Sequence, residues 1–436
     1  MSDNNNKTLN PWGSLLPDDI VTNIFLRLPI KSIIICTSVS KKWKSLILDP
    51  KFNFISTHLH HSYNDNNHNL HLFSLDSQKT EDNKELYVLY NEDDTDFTQH
   101  ASFDIPLHGP ELDPLNKILH VVGTCNGLLC LSDYSLKTDR IFLWNPCVGK
   151  YLRLPSPNVT YATHGVFKGS LGFGFDPETN DYKVVRVVSF PITPNLPTLQ
   201  HKVEVYSLST GQWRMLRDSL VPTCVVYGIL TQSSVNGAMH WLVSRTANDN
   251  QFDHFGLVFD LHNEAFREIL LPELPAYTHQ RSTLCASIST YRNSIALFHD
   301  DHNSLCLDIW VMKDYDDVSS WMKALSLPLR KNIMRAVGFC RNGHIVLELD
   351  GGQLISWDLE TQEIKDFGII GYNFVDAYVE SLVLLDKTAN NAITYYRNRQ
   401  EIIVQLLIIK EKPEIVVQFV LSVDIFLAIE DVSFCI

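Results

Sequence analysis

From about residue 120 onward the chain repeats a turn roughly every fifty residues, and this repeat limits the possible fold more than any single motif. Asn126-Gly127, Thr179-Asn180, Asn236-Gly237, Arg292-Asn293, Asn342-Gly343 and Asn390-Asn391 punctuate similar apolar surroundings. Counted from Asn180 in the second and Asn293 in the fourth, successive positions lie 54, 56, 57, 49 and 48 residues apart. A second set interleaves with the first: Trp144, Tyr206, Phe259, Trp310 and Trp357 each end a β-rich run, at gaps of 62, 53, 51 and 47. Runs such as Ile141-Phe142-Leu143-Trp144, Lys183 to Val188 and Val203 to Tyr206 read as short strands. Two hairpin units per period make about four strands per repeat, the size of a propeller blade. One blade cannot bury both of its faces alone, so blades stack around an axis. A pair of packed β-sandwiches is the alternative; the sustained period favours a propeller of about six blades.

Residues 15–60 follow a different period. Pro17 suits the start of a helix, and Asp18 and Asp19 follow where the helix dipole favours acids. Ile20, Ile24 and Leu28 recur every four residues, with Val21 and Phe25 widening the stripe, until Leu28-Pro29 closes the helix. A second helix is expected over Lys31 to Val39. A third starts at the N-cap Ser40, carries Trp43, Leu46 and Ile47, and stops at Asp49-Pro50. Three such helices bury little surface by themselves. They read either as a cap on the rest of the chain or as a docking module completed by a partner.

Composition narrows the function. The chain holds 36 basic and 50 acidic side chains, a net charge of −14, which argues against a protein built to grip nucleic acid or anionic lipid. The charge is uneven: residues 1–60 are net positive, through Lys41, Lys42, Lys44 and Lys51 among others, and the remainder is strongly acidic. The cysteines are irregularly spaced and the opening residues polar, so neither a disulfide framework nor a signal peptide is expected. The longest apolar stretch tested as a membrane span, Ile415 to Val423, is far shorter than the roughly 20 residues required. His58, His60, His61, His68 and His71 invite a metal, but they lie without cysteine nearby in a stretch whose residues 61–70 read as a loop. No metal site and no cofactor are expected. The chain has no G-x-S-x-G elbow and no phosphate loop, and Gly172-Phe173-Gly174 sits inside a strand pattern without a following helix. Cys125 and Cys130 read as buried small hydrophobes, and the repeated tryptophans as inter-blade core.

Two resemblances follow from these segments. Leu16-Pro17-Asp18-Asp19-Ile20, Leu26-Arg27-Leu28-Pro29, Lys31-Ser32, Val39-Ser40-Lys41, Trp43, Leu46-Ile47 and Pro50-Lys51-Phe52 together resemble an F-box. Ile35, Cys36 and Ser38 depart from the arginine, phenylalanine and cysteine usual in plant members. Gly123 to Cys130, Leu143-Trp144-Asn145-Pro146, Gly172 to Asp176, Asp181 to Arg186, His240-Trp241, Ile309 to Tyr315 and Tyr378-Val379-Glu380-Ser381-Leu382 resemble the plant F-box-associated interaction domain, a kelch-like propeller. The similarity extends to the S-locus F-box-like group.

The resemblance implies an α+β multidomain chain. Residues 1–14 are expected to be disordered, 15–60 to form a three-helix F-box, and 61–120 to hold linker and first strands. Residues 121–384 would form the all-β propeller, and 385–436 a C-terminal extension that closes the ring or packs beside it. It also implies a non-catalytic substrate receptor of an SCF-type ubiquitin ligase, cytoplasmic or nuclear. Its partners would be a Skp-type adaptor, through it a cullin-RING scaffold, and a protein target of unknown identity. The residues expected to meet the adaptor, or to form the F-box's own core, are Leu16, Pro17, Ile20, Ile24, Leu28, Pro29, Val39, Trp43 and Leu46. A scaffold uncoupled from ubiquitin transfer, or a propeller that binds a sugar or small ligand, are the other classes left open.

Overall fold

The computed structural model describes residues 17–64, 70–76, 86–91, 98–104, 119–133, 140–191, 200–217, 224–226, 233–246, 251–275, 284–301, 303–328, 333–340, 342–370, 372–384, 386 and 393–394. They fall into two compact units: Met1–Asn67 with Asn145–Lys150 and Glu380–Ile436, and His68–Trp144 with Tyr151–Val379.

The first unit is helical: α1 (Asp18–Phe25), α2 (Ile30–Val39), α3 (Lys41–Leu48), a single 3-10 turn at Pro50–Phe52 and α4 (Phe54–Asn64). Pro17 and Pro29 stand immediately before α1 and α2. Ser40 caps α3, its hydroxyl accepting from the Trp43 backbone N–H at 3.1 Å. The fourth helix corrects the expectation of three, and it also corrects the reading of residues 61–64 as loop. Its cause is visible in the spacing: Phe54, His58, Leu59 and Ser62 are all buried, at intervals that place them on one helical face.

The second unit is a propeller of antiparallel sheets. The first strands are β1 (Leu70–Asp76), β2 (Leu86–Asn91) and β3 (Gln99–Asp104). Next come β4 (Leu119–Cys125), β5 (Leu128–Asp133), β6 (Ile141–Asn145) and β7 (Lys150–Arg153). After the short helix α5 (Tyr161–His164) come β8 (Lys168–Asp176), β9 (Asp181–Phe190), β10 (Gln200–Ser207) and β11 (Gln212–Met215). The next sheet holds β12 (Val225–Val226), β13 (Ser233–Val235), β14 (Ala238–Thr246), β15 (Phe252–Asp260) and β16 (Ala265–Leu270). Then follow β17 (Ala286–Tyr291), β18 (Ser294–Asp301), β19 (Cys306–Met312) and β20 (Trp321–Pro328). The last are β21 (Ile333–Phe339), β22 (Ile345–Leu349), β23 (Gln353–Trp357), β24 (Ile364–Ile370) and β25 (Tyr372–Val379).

From β4 to β24 these strands form five sheets, each built on a consecutive run, the sheet of β4 to β7 also holding β26 (Ile393–Thr394). Against the expectation of about six blades, five are built in this way, and the remaining sheet is a composite in the order β25-β1-β2-β3. Its physical reason is closure: a ring of stacked sheets needs its two chain ends joined, and β25 pairs antiparallel with β1 from Leu70↔Val379 to Asp76↔Tyr372. The innermost strands neighbour one another in the circular order β4, β8, β13 and β14, β17, β21, β25 and back to β4. The closing strand therefore lies before the 385–436 extension, most of which, like Asn390-Asn391, is outside the described residues.

Both sequence repeats map onto this architecture. The Asn/Gly turns join the innermost strand of each of the five sheets to its neighbour, and the aromatic set lies on the third strand of each. Asn126 and Gly127 have φ of 51° and 76°, the left-handed pair that a two-residue hairpin turn needs. Strand direction alternates, so these turns and those following the third strands share one end of the ring. The crossovers between sheets fall at the other.

The tryptophans pack between or within sheets. Trp144 is fully buried, with ring centroids 4.9 Å from Tyr87 and 6.5 Å from Phe103 of the composite sheet. Trp241 joins Val185, Val205 and Phe259 in one cluster. Trp310 and Trp357, partly buried, pack against clusters that each span two neighbouring sheets.

Two polar devices tie sheets together. Lys183 on β9 is buried; its ammonium donates to Asp176 at 2.9 Å, to Glu264 at 3.2 Å and to the Leu261 carbonyl in the β15–β16 turn. Burial opposes charge on Asp176, but donation from Thr179 and Lys183 outweighs it and holds the carboxyl at about 2. This contribution to stability is present above the ordinary carboxylate value and is lost as pH falls through about 2. At the closing seam the Thr124 hydroxyl donates to Asp376 at 2.7 Å, and the Tyr378 hydroxyl to the Gly127 carbonyl at 2.9 Å. Burial pushes the Asp376 carboxyl up to about 6.

Replacing one partner of a buried pair strands the other. Lys183→Met is expected to destabilise the propeller by about 3–5 kcal/mol in urea unfolding at neutral pH. Asp376 behaves in the opposite sense: its folded-state value is raised, so its stabilisation is present below the ordinary carboxylate value and lost as pH rises through about 6. Asp376→Asn is therefore expected to flatten the decline in melting temperature between about pH 4 and pH 6. An unchanged slope would remove Asp376 from the seam's energetics.

Candidate functional site

The helical unit separates side chains that the sequence pattern left together. Phe25, Leu28, Ile30, Ile33, Cys36, Ile47 and Phe54 form its core, joined by Val148 and Leu382 from the other two segments of the same unit. Trp43 packs against this core edge-on to Phe25, ring centroids 5.1 Å apart. Phe25 meets Phe54 in the same manner at 6.4 Å. The short segments are themselves held: the buried Asn145 amide donates to the carbonyls of Ser381 at 3.0 Å and Val383 at 2.9 Å. Its oxygen accepts from the Cys147 N–H.

Of the nine residues expected to meet an adaptor or fill the core, Leu16 lies outside the described residues. Leu28 and Leu46 are only 6% and 3% exposed and belong to the interior. Ile24, Val39 and Trp43 are half-buried, and Pro17, Ile20 and Pro29 face solvent. Ile20 is 47% exposed, unusual for isoleucine on a helix whose other apolar face is packed. Phe52, 43% exposed on the 3-10 turn, was absent from that set. Its pattern signal was weak, because a residue after a proline turn belongs to no helical stripe.

The family departures also divide. Cys36 is buried in the core and Ser38 is exposed, so the first alters packing and the second only surface.

Basic side chains lie on the surface of this unit. Lys41, Lys44 and Lys51 are exposed, whereas Lys42 pairs with Asp18 at 2.6 Å and ties the start of α3 to the start of α1. That surface pair contributes at most about 1 kcal/mol. His58, one of the candidate metal histidines, is instead buried beside Phe54, ring centroids 6.1 Å apart, and burial lowers it to about 4. Among the described residues no group of three His, Cys, Asp or Glu side chains is placed to hold a metal.

This arrangement has the form of a docking element: a small packed core, exposed apolar side chains at its helix starts and turn, and a basic rim. Residues 14–55 match the F-box domain, and residues 85–398 match the F-box associated beta propeller domain. The chain belongs to this family. Among its Arabidopsis thaliana relatives, the F-box protein CPR1 is 27% identical over 88% of this chain and 92% of its own length. Another F-box protein is 28% identical over 80% of this chain and 87% of its own, and an F-box/kelch-repeat protein 24% identical over 77% and 86%.

The two roles within the F-box are separable by stability. Leu46→Ala is expected to lower its stability by about 2–5 kcal/mol through loss of buried contact and the cavity left behind. Ile20→Ser and Phe52→Ser should each shift it by less than about 0.5 kcal/mol. Thermal unfolding followed by circular dichroism checks both.

Proposed function

We propose that this F-box protein is the substrate-recognition subunit of an SCF-type ubiquitin ligase. Its F-box docks on a Skp-type adaptor, which joins it to a cullin-RING scaffold, and its propeller holds a target protein. The observation that carries this reading is the combination in one chain: an F-box with solvent-facing Pro17, Ile20, Pro29 and Phe52, continued by a propeller of the F-box-associated family. The basic side chains Lys41, Lys44 and Lys51 suit an acidic adaptor surface and would speed encounter more than they deepen affinity.

In this reading the chain is a receptor and not a catalyst. Holding a target beside a charged conjugating enzyme makes transfer effectively intramolecular, and the gain is one of local concentration. No covalent intermediate forms on this chain. The proposed setting is cytoplasmic or nuclear.

Ile20→Asp is expected to weaken adaptor binding at least about tenfold, since it places a charge in an apolar contact, while the circular dichroism melt stays unchanged. Calorimetric titration of full-length protein with a purified Skp-type adaptor measures this. Retained affinity in the Ile20→Asp, Phe52→Asp double variant would overturn the assignment.

A further inference from the structure

The acidic propeller has one sector whose charge runs the other way. Between residues 151 and 217 the only carboxylates are Asp176, Glu178, Asp181 and Glu204, against seven lysines and arginines. Three of those four acids lie at the β8–β9 turn, and Asp176 is engaged there by Lys183. The fourth, Glu204, is buried and paired with Arg186 at 2.9 Å. Arg214 is paired with Glu264. What remains is Arg153 at the end of β7, Lys168 at the start of β8, Lys202 on β10 and Arg217 just beyond β11. Antiparallel pairing puts all four at the crossover end. Lys168 stands across from Ser189, which stands across from His201, beside Lys202, and the Leu216 N–H bonds to the Val203 carbonyl, bringing Arg217 alongside.

Between these cations the crossover from β7 to β8 is pinned from beneath. The Trp213 indole donates to the Pro155 carbonyl at 2.7 Å. Glu204 accepts from the backbone N–H groups of Asn158 and Val159 at 2.7 and 3.2 Å, and Arg186 donates to the Val159 carbonyl. Arg186 also lies over the Phe167 ring, 5.0 Å from its centroid, and the Tyr161 hydroxyl donates to the Phe167 carbonyl at 2.8 Å. The segment so fixed carries α5, whose His164 accepts from the Lys202 ammonium at 3.0 Å, and then Val166, 72% exposed. Lys202 thus meets an imidazole where most surface lysines near an acid meet a carboxylate. In the following sheet Arg245 is already paired with Glu268 and Asp253, which bounds the sector.

We propose that this crossover, with Arg153, His164, Val166, Lys168, Lys202 and Arg217, is the target-docking surface, and that it takes an acidic segment of a protein carrying an apolar side chain for Val166. The inference rests on the substrate-receptor reading and deepens it by naming the chemistry of the target. Two things select this occupant: cations for which the described residues supply no carboxylate partner, on a molecule of net negative charge, and an exposed valine held on a pre-ordered loop among them. A surface ordered before binding gives up less entropy when a peptide lands. Nothing in the reading requires the adaptor, so the test is made without it.

Fluorescence anisotropy of a fluorescein-labelled peptide rich in Glu, Asp and Leu, titrated with full-length protein at low ionic strength, reads the interaction directly. Lys168→Glu with Lys202→Glu is expected to weaken binding about tenfold or more, Val166→Asp to weaken it as well, and added salt to weaken the wild type. Lys41→Glu with Lys44→Glu on the F-box should leave it unchanged. Undiminished binding in the Lys168, Lys202 variant, or equal affinity for a Lys-rich peptide, would overturn the proposal. Equal competition by single-stranded DNA would overturn it too, because the surface would then read any polyanion. Loss of adaptor binding with peptide binding intact would sink only the ligase reading.

Discussion

The β1–β25 pairing is the constraint from which the propeller's order follows. Stacked sheets bury their faces only against neighbours, so an open row would leave two terminal faces bare and two terminal strands unpaired. Joining a strand near residue 70 to one near residue 379 removes both problems with backbone hydrogen bonds. The side-chain bonds of Thr124 and Tyr378 then lock the composite sheet to the next one. Because closure links distant parts of the chain, the first and last strands gain stability only once the intervening sheets are in place.

Buried charge plays a second organising part. Lys183 and Asp176 join one sheet to the turn of the next, and Arg186 and Glu204 hold a crossover whose Val159 and Phe167 also pack against Val188. Such pairs give up much of their attraction to desolvation. Their value here is positional: a carboxylate that must find two backbone N–H groups leaves the crossover few alternative placements. The same logic applies to Asn145, whose amide uses both its oxygen and its nitrogen to hold segments far apart in sequence.

Much of this organisation was legible beforehand because it is local. An Asn-Gly pair in a left-handed conformation and an aromatic residue ending a strand are set by a few neighbouring side chains, and their spacing survives into the structure as the turn after each innermost strand and the third strand of each sheet. The helix starts at Pro17, Pro29 and Ser40 were readable for the same reason. The fourth helix was missed because polar His58 and Ser62 share its buried face with Phe54 and Leu59, which breaks the apolar pattern. The composite sheet was missed as a distinct kind, since nothing local in β1 announces that its partner lies some three hundred residues away.

The sequence by itself determined the family, the two periods, the strand-rich repeat and the local turn chemistry, all of which depend on short-range sterics and on apolar spacing. Tertiary structure alone decided which apolar residues of the F-box face outward. Ile20 and Leu28 share one apolar stripe and Leu46 lies on another, yet only the packing of the helices, with Val148 and Leu382 brought in from remote segments, buries the two leucines and leaves Ile20 in solvent. It also decided that the cations of residues 151–217 gather at one end of their sheets, because antiparallel pairing carries Arg153, Lys168, Lys202 and Arg217 there from four separate strands and strand ends. Exposure and charge neighbourhood are properties of the assembled surface, and no window along the chain contains them.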